Sequence, residues 1–319
     1  MRKVLLFLLL TVSLLFSGNL GIKLFTGGMY GSYGDLNLFV DYESSWLNFY
    51  NNNWAKNLKD WGFISNYTST DDVNFKKLTI SLPITLRLYM EKGKTTFFVE
   101  GSYIGGRVSN NKQFNYSITF PDSSTTRIMY TYSPLELKSN LFGAGIGISR
   151  DLFQKGWFKI TGEVSIGAIF LNFHYRNFLT SKTEVEDYWL SIEYNTKMKG
   201  NGLGFYGYAA LDIPVISKGR FTMSIRPGYI YSKILSIKGP TSYTYSISDS
   251  YGFSSTQSDS WNGEWFIKEI DANEWWGSVK FRFPSNYRGD LNDYYVKEAG
   301  KLSPSIHGPF ITISIGFSL

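Results

Sequence analysis

Residues 311–319 read Ile-Thr-Ile-Ser-Ile-Gly-Phe-Ser-Leu, an alternation of apolar with small or polar side chains that continues to the last residue. Successive side chains of a β-strand point to opposite faces, so this stretch predicts a strand with one apolar and one polar face. The apolar face carries Ile311, Ile313, Ile315, Phe317 and Leu319.

The same alternation recurs upstream and predicts an all-β chain. The other alternating stretches are residues 22–32, 78–89, 97–104, 142–148, 158–170, 203–215 and 221–231. The count is about eight, an even number, as in single-chain bacterial outer-membrane barrels. Two further candidate strands, residues 242–248 and 276–283, leave a count of ten open.

The links between these stretches alternate between short and long. Three are tight, at residues 91–94, 151–156 and 217–220. The others are far longer, at residues 33–77, 109–130, 177–196 and 239–305. This asymmetry predicts a transmembrane barrel with short periplasmic turns and long extracellular loops, whereas a soluble β-sandwich has no need of it.

The first long link also contains a helical pattern. Apolar residues recur at three-, four- and seven-residue spacing, which predicts a short amphipathic helix. They are Leu36, Val40, Leu47, Tyr50, Trp54, Leu58 and Trp61. Such a helix either packs on the barrel rim, or lies in the outer leaflet or gates the barrel mouth.

The first residues predict export. Arg2 and Lys3 precede an apolar run over residues 4–16, the length of a signal-peptide core, with an uncleaved anchor as the alternative. We expect a signal peptide over residues 1–20, processed between Ser17 and Gly21, and one barrel domain over residues 21–319. The absence of cysteine excludes lipid attachment at cysteine and disulfide bonds.

Composition agrees with a barrel whose apolar exterior is balanced by a polar interior. Aromatic residues make up 18% of the chain, and the mean hydropathy is only -0.16. The formal net charge of +6 is scattered rather than gathered in a basic stripe with interleaved aromatics. Nucleic acid is therefore not an expected partner.

Together, the alternating strands, the asymmetric links and the final strand resemble the small bacterial outer-membrane β-barrels of the OmpA and OmpX type. The final strand resembles their C-terminal insertion signal, although it ends on Leu319, with Phe317 two residues earlier, rather than on an aromatic residue. The resemblance is architectural and implies a closed antiparallel transmembrane barrel in the outer membrane. Membrane lipid and lipopolysaccharide would then be its surroundings.

Strand phase assigns seven charged side chains to the barrel interior. They are Lys23, Arg87, Glu100, Lys159, Glu163, Asp212 and Arg226. An eight-stranded barrel is just wide enough for side chains to fill, so these charges predict a salt-bridged plug. The alternative is a narrow polar path that conducts when ion pairs rearrange.

Aromatic residues crowd the last long link. They are Tyr243, Tyr245, Tyr251, Phe253, Trp261, Trp265, Trp275 and Trp276. Tyrosine and tryptophan favour the headgroup level of a membrane, so these residues are either interfacial anchors or a surface patch that binds an extracellular glycan, lipid or protein.

Signs of catalysis are weak. The two histidines, His174 and His307, lie in no motif typical of outer-membrane lipid-modifying enzymes, and no stretch predicts a cofactor. We therefore expect a non-enzymatic barrel that anchors surface-binding loops. A narrow porin-like pore or a channel for small hydrophobic molecules is the alternative, and a lipid-modifying enzyme is the third hypothesis.

Overall fold

A computed structural model describes residues 19–29, 33–49, 55–69, 74–80, 83–122, 124–155, 158–272, 279–285 and 296–319. Within these ranges the chain is almost entirely antiparallel β-structure. The strands are β1 (Asn19–Met29), β2 (Asn66–Ser69), β3 (Ile84–Lys92), β4 (Thr95–Thr119), β5 (Thr125–Lys155), β6 (Phe158–Val185), β7 (Tyr188–Lys218), β8 (Phe221–Asp249), β9 (Ser254–Glu264), β10 (Phe266–Ala272), β11 (Val279–Ser285), β12 (Val296–Lys301) and β13 (Ser305–Ser318).

Eight of the described strands form a closed ring, in the order β13-β1-β3-β4-β5-β6-β7-β8. The ring closes because β13 pairs with both β1 and β8, for example at Ile315↔Leu24 and Ile313↔Ile225. The prediction of about eight antiparallel strands is confirmed. The possible ten-stranded ring is wrong, because β2 and β9 pair with β4 and β8 beside the ring, and β10, β11 and β12 form a separate sheet.

The two ends of the ring differ. At one end, here called the turn end, β3–β4, β5–β6 and β7–β8 are joined by tight links, as predicted. At the other, the hairpin end, most of the predicted long loops are wrong. β4 and β5 continue pairing to Thr119 and Thr125, and β6 and β7 to Val185 and Tyr188. The hydrogen-bonded pairing of these strands continues beyond the segments in which apolar and polar residues alternate. The prediction relied on that alternation and therefore ended the strands too early.

The first long link contains helices, as predicted. A 3-10 helix (Gly34–Asn37) leads into α1 (Leu38–Phe49), and α2 (Ala55–Asp60) follows. Leu36, Val40 and Leu47 are buried inside the hairpin end of the ring. None of the helices in the described ranges is long and apolar enough to cross a membrane.

Two predicted boundaries shift. The strand predicted over residues 78–89 begins only at Ile84, after Pro83, and Leu78 is instead held by Asn37, whose Oδ1 accepts the Leu78 N–H at 2.8 Å. Proline cannot donate to a sheet ladder, which favours a break there. The first strand begins at Asn19, two residues before the predicted domain boundary, and residues 1–18 of the predicted signal peptide lie outside the described ranges.

The interior of the ring has two layers. Near the turn end it is polar and charged, as predicted, and glycines make room for rings: a Cβ on Gly145 or Gly147 would lie 2.3 Å or less from Tyr206 or Phe98. Toward the hairpin end it is apolar, so the prediction of a polar interior is wrong there. Leu171 and Phe173 point inward from β6 and are fully buried against the helical segment.

Candidate functional site

Four of the seven predicted interior charges meet in one buried cluster near the turn end. Arg87 on β3 lies 2.8 Å from Glu163 on β6 and 3.2 Å from Glu100 on β4. The Nε of Arg226 on β8 donates to the second Glu163 oxygen at 2.7 Å. All four residues are at most 6% exposed. Two cations and two carboxylates therefore neutralise each other across the ring.

Hydroxyl groups complete the coordination of Glu100. Tyr208 donates to one carboxylate oxygen at 2.7 Å, while Ser165 donates to the other at 2.9 Å and Tyr206 donates to it at 3.3 Å. Arg87 also donates to the Tyr208 hydroxyl at 2.7 Å. These contacts hold the carboxylates in place, whereas the Nε of Arg87 and the Nη2 of Arg226 are buried without a hydrogen-bond partner in the described part of the chain.

Aromatic rings enclose the two guanidinium groups. The Arg87 guanidinium carbon lies 3.7 Å from the ring centroid of Phe98 and 4.5 Å from that of Phe25. The corresponding carbon of Arg226 lies 4.6 Å from Phe25 and 4.4 Å from Tyr208. Cations stacked on aromatic faces are stabilised by the ring quadrupole.

The other three predicted charges make no ion pair with this cluster. Lys23 on β1, directly opposite Arg87 on β3, pairs with Asp212 at 2.6 Å. Lys159 pairs with Asp151 at 2.9 Å, and about a third of its side chain remains exposed. Lys159 therefore belongs to the rim of the ring rather than to its central network.

A small void separates the charged cluster from the apolar layer. It has a volume of about 50 Å³, and its lining includes Thr85, Glu100, Tyr206, Arg226 and Phe310. Such a volume has room for a few water molecules but not for an organic solute. The buried side chains of the cluster thus occupy the interior of the ring at this level.

The helical segment (residues 34–49) occupies the interior at the hairpin end, where α1 packs on the ring wall. The ring of Phe39 on α1 stacks on Tyr175 at a centroid distance of 4.9 Å and contacts Phe173 at 5.3 Å. Trp265, just before β10, packs on the same two phenylalanines, at 5.7 Å from Phe39 and 5.6 Å from Phe173. Four aromatic rings thus hold α1 within the ring.

Glu43 on α1 is a functional candidate that the sequence interpretation missed. Its carboxylate accepts hydrogen bonds from Tyr132 at 2.9 Å, Tyr175 at 3.2 Å and Asn177 at 2.8 Å. Burial raises the pKa of the Glu43 carboxyl, although these three donors act in the opposite direction. The only sequence signal was an acidic residue on a helix, which usually indicates a solvated face.

The predicted aromatic patch divides in the structure. Tyr243 and Tyr245 on β8 lie against Tyr194 on β7, with Tyr194 and Tyr245 at a centroid distance of 5.3 Å. Burial, with Tyr194 and Tyr245 nearby, raises the pKa of Tyr243 to about 12. At the tip of the β8–β9 hairpin, Tyr251 is 85% exposed and stacks on Tyr188 at 5.5 Å.

The remaining predicted members of the patch are distributed differently. Phe253 is exposed at the same hairpin tip, and Trp261 is partly exposed on β9. Trp265 is fully buried, so its assignment to a surface patch is wrong: it follows the last paired residue of β9 and turns into the core. Trp275 and Trp276 lie outside the described residues.

Neither histidine lies in the interior cluster. His174 on β6 and His307 on β13 occupy outward positions of their strands, opposite Lys199 and Tyr231 respectively. In the described part of the chain, no group of three or more histidine and acidic side chains is placed to hold a metal ion. The sequence matches no protein-family model and no curated protein.

Proposed function

We propose that this protein is a bacterial outer-membrane β-barrel that anchors a tall, tyrosine-bearing sheet at the cell surface, where the sheet binds a glycan or protein. The observation that carries the proposal is the apolar outer face of the eight-stranded ring. Every strand of the ring contributes an outward aliphatic side chain that is more than 40% exposed. One from each strand is Leu24, Leu86, Val99, Ile146, Ile166, Leu203, Ile225 and Ile313.

The height of this apolar band fits a membrane. On β6 the outward apolar positions run from Ile160 to Phe170, and at about 3.4 Å per residue and a tilt of about 40° they span about 25 Å. Outer-membrane barrels carry an apolar band of about this height. A soluble monomer rarely exposes contiguous apolar surface beyond a few hundred Å², whereas this band encircles the ring.

The closed interior supports an anchor rather than an open pore. The ion-paired layer around Arg87 and Glu163 and the aromatic packing of α1 occupy the interior at two levels. Rearranging a buried ion pair leaves charges uncompensated, at a cost of several kcal/mol. We therefore expect the protein to conduct no steady ion current.

The part of the sheet beyond the band supports surface binding. On β6, 15 residues follow Phe170 before the strand ends at Val185, about 50 Å of strand at 3.3 Å per residue. Neighbouring strands β7 and β8 bear Tyr194, Tyr243 and Tyr245 there. Tyrosine combines an apolar ring with a hydroxyl and loses little conformational entropy on binding, which suits recognition of glycans and proteins.

The first experiment tests membrane insertion. The full-length chain is expressed in a Gram-negative host, and the outer-membrane fraction is analysed by electrophoresis with and without heating, and by trypsin digestion of whole cells. We expect a heat-dependent shift in mobility and cleavage confined to the hairpin end. Recovery of the folded chain in the periplasmic fraction would overturn the proposal.

The second experiment separates anchor from pore and measures binding. The extracted protein is added to a planar bilayer, where we expect no discrete current steps; reproducible steps would overturn the anchor function.

Cells displaying the protein are then tested on glycan arrays and extracellular-matrix proteins. The Tyr194→Ser/Tyr243→Ser/Tyr245→Ser variant should lose the binding, whereas a Phe317→Leu control at the turn end should retain it.

One observation favours a second candidate function, a channel for small apolar molecules. The inner wall at the hairpin end is apolar, and α1 covers it. If α1 moved out, an apolar mouth would open above the charged layer. Uptake of a fluorescent fatty acid by cells, with α1 deleted (residues 38–49), tests this: uptake that rises on deletion favours the channel, and unchanged uptake favours the anchor.

A further inference from the structure

The outer face of strands β4 to β7 is layered in register just above the apolar band. The uppermost apolar row has one large side chain from each strand. It consists of Tyr103, Phe142, Phe170 and Leu203, which are paired in that order across the strands. All four are exposed on the outer face. This row is the upper edge of the surface that we propose to lie in lipid.

Two residues further toward the hairpin end, the side chains on β5, β6 and β7 become amides. This second row consists of Asn140, Asn172 and Asn201, which are directly opposite one another on β5, β6 and β7. Asn172 donates to Asn201 at 2.7 Å, and the Tyr103 hydroxyl donates to Asn140 at 2.8 Å. Neutral hydrogen-bonding groups at this height suit the boundary between acyl chains and headgroups.

Two residues further still, the row is basic. It consists of Arg107, Lys138, His174 and Lys199, again paired in order across the four strands. The row above it adds Arg176 opposite Lys197, with Glu136 as its acidic member. Five lysine and arginine side chains therefore surround a single carboxylate on this part of the outer face. We call these seven residues the basic row cluster.

The basic row cluster has a large excess of positive charge. Glu136 pairs with Arg107 at 2.7 Å and with Lys138 at 3.3 Å, which uses the one carboxylate. Within the described ranges no ion pair is formed by Arg176, Lys197 or Lys199, which are all exposed. Like charges directly opposite on neighbouring strands are destabilising, so this alignment lowers the stability of the free protein.

The electrostatic environment of His174 reflects this excess. Burial, together with the adjacent Lys199 and Lys138, lowers the pKa of His174 below its ordinary value. The histidine lies four residues beyond Phe170, outside the segment of β6 that we assign to the membrane core. A bound anion would raise the pKa of His174 again.

We infer that the basic row cluster binds the phosphate groups of an anionic lipid in the outer leaflet, while the acyl chains of that lipid lie on the apolar row below. The inference rests on the proposed membrane location. Arginine and lysine are the side chains that recognise phosphate, and the five here lie on four adjacent strands, about 15 Å across at about 4.8 Å per strand.

The vertical spacing fits a lipid. His174 is four residues above Phe170, about 14 Å along the strand and about 10 Å along the ring axis at a tilt of about 40°. Long lysine and arginine side chains at such a position reach toward the headgroup layer while their aliphatic parts follow the apolar surface. A free anion would need the cations but would make no use of the apolar row directly beneath them.

The test compares lipid retention by two variants of equal charge change. In Arg176→Gln/Lys197→Gln/Lys199→Gln the unpaired cations of the cluster are removed, and the Glu136 ion pairs remain. The control, Lys155→Gln/Lys218→Gln/Arg220→Gln, removes three exposed cations at the turn end. The full-length proteins are extracted in a neutral detergent. Binding of diphosphorylated lipid A, phosphatidylcholine or inorganic phosphate is then measured by native mass spectrometry and by fluorescence titration.

We expect the wild type and the control to bind lipid A with affinities within about twofold of each other, and the cluster variant to bind at least about tenfold more weakly. Phosphatidylcholine should bind equally weakly to all three proteins, and raising the salt concentration should weaken lipid A binding. Equal lipid A affinity in all three proteins would overturn the inference. Inorganic phosphate binding as tightly as lipid A would overturn it too, by showing a free-anion site.

The outcome is separable from the proposed function. Heat-modifiable mobility and membrane fractionation are measured on the same three proteins. If all three insert into the outer membrane but do not discriminate lipid A from phosphatidylcholine, the lipid site is refuted and the membrane location stands. If none inserts, the membrane location is refuted, and the lipid site with it.

Discussion

Arg87 and Glu163 form a two-pronged ion pair across the interior of the ring, with Nη1 2.8 Å and Nη2 3.1 Å from the two carboxylate oxygens. Their strands, β3 and β6, are not neighbours but are separated by β4 and β5. Backbone hydrogen bonds fix only adjacent strands, so this contact ties together parts of the ring that the sheet ladder does not join directly. Arg226 adds a third strand, β8, to the same carboxylate.

The Glu163→Gln substitution should destabilise the folded ring strongly. It removes the carboxylate shared by Arg87 and Arg226. Arg87 then keeps only Glu100, and Arg226 keeps no ion-pair partner among the described residues. Breaking a buried ion pair in this way costs about 3–5 kcal/mol. Urea unfolding of the purified protein, followed by tryptophan fluorescence, measures the change. The matched control is Glu184→Gln, which breaks an exposed pair with Lys182 and should leave the midpoint unchanged; equal effects of the two variants would contradict the structural role.

The Trp265→Ala substitution should loosen the closure at the hairpin end. The indole is fully buried between Phe39 and Phe173, and removing a large buried aromatic side chain costs about 3–5 kcal/mol. Tyr251 lies at a hairpin tip and is 85% exposed, so Tyr251→Ala should change the unfolding free energy by no more than about 0.5 kcal/mol. Both values come from the same urea titration. An unchanged unfolding free energy in Trp265→Ala would mean that Trp265 lies on the surface, as predicted from the sequence.

The unfolding free energy should depend on pH through Glu43. Burial raises the pKa of this carboxyl in the folded state, so the folded protein holds its proton to higher pH than the unfolded chain does. The contribution of Glu43 to stability is therefore largest below the unfolded pKa of about 4.3 and is lost as the pH rises through the folded pKa. Glu43→Gln, which keeps acceptor and donor groups for Tyr132, Tyr175 and Asn177, should flatten the profile over this window.

Two comparisons make the pH prediction specific. Ser45→Ala, at an exposed position of the same helix, should retain the pH dependence of the wild type. Glu43→Ala should destabilise the protein at every pH, because the three buried donors then lack their acceptor, at a cost of about 1–3 kcal/mol for each donor left unsatisfied. A wild-type profile that rises with pH in the acidic range while the Gln variant is flat would show that the carboxyl pKa is lowered instead.

The strands of the ring could be predicted from the sequence because period-two alternation is a strong local signal. Ile313, Ile315 and Phe317 alternate with small polar residues, and β13 lies in the ring with this phase. The same phase put Arg87, Glu100, Glu163 and Arg226 on the interior face. Which of these charges form ion pairs depends on the register between strands. The sequence of a single strand does not determine that register.

The hairpin end could not be predicted in the same way. At Ile169, Phe170 and Leu171 both faces of β6 are apolar, because one faces outward and the other packs on the helical segment, so alternation disappears. From Thr180 to Glu184 both faces of β6 are polar although the strand is still paired with β5, so these residues resemble a loop in sequence. Burial of Trp265 likewise depends on where α1 lies, which is a long-range contact.

The Ile166→Lys substitution distinguishes a lipid-facing band from a water-facing one. Ile166 is 68% exposed near the middle of the band on β6. In water, a lysine at such an exposed position would leave stability nearly unchanged and improve solubility, since it removes exposed apolar surface. In a bilayer the same lysine near the midplane costs about 2–4 kcal/mol. Unfolding from phosphatidylcholine vesicles should therefore show the variant destabilised by this amount, while Tyr251→Lys, beyond the band, should match the wild type. Identical unfolding of Ile166→Lys and wild type would mean that the band does not face lipid.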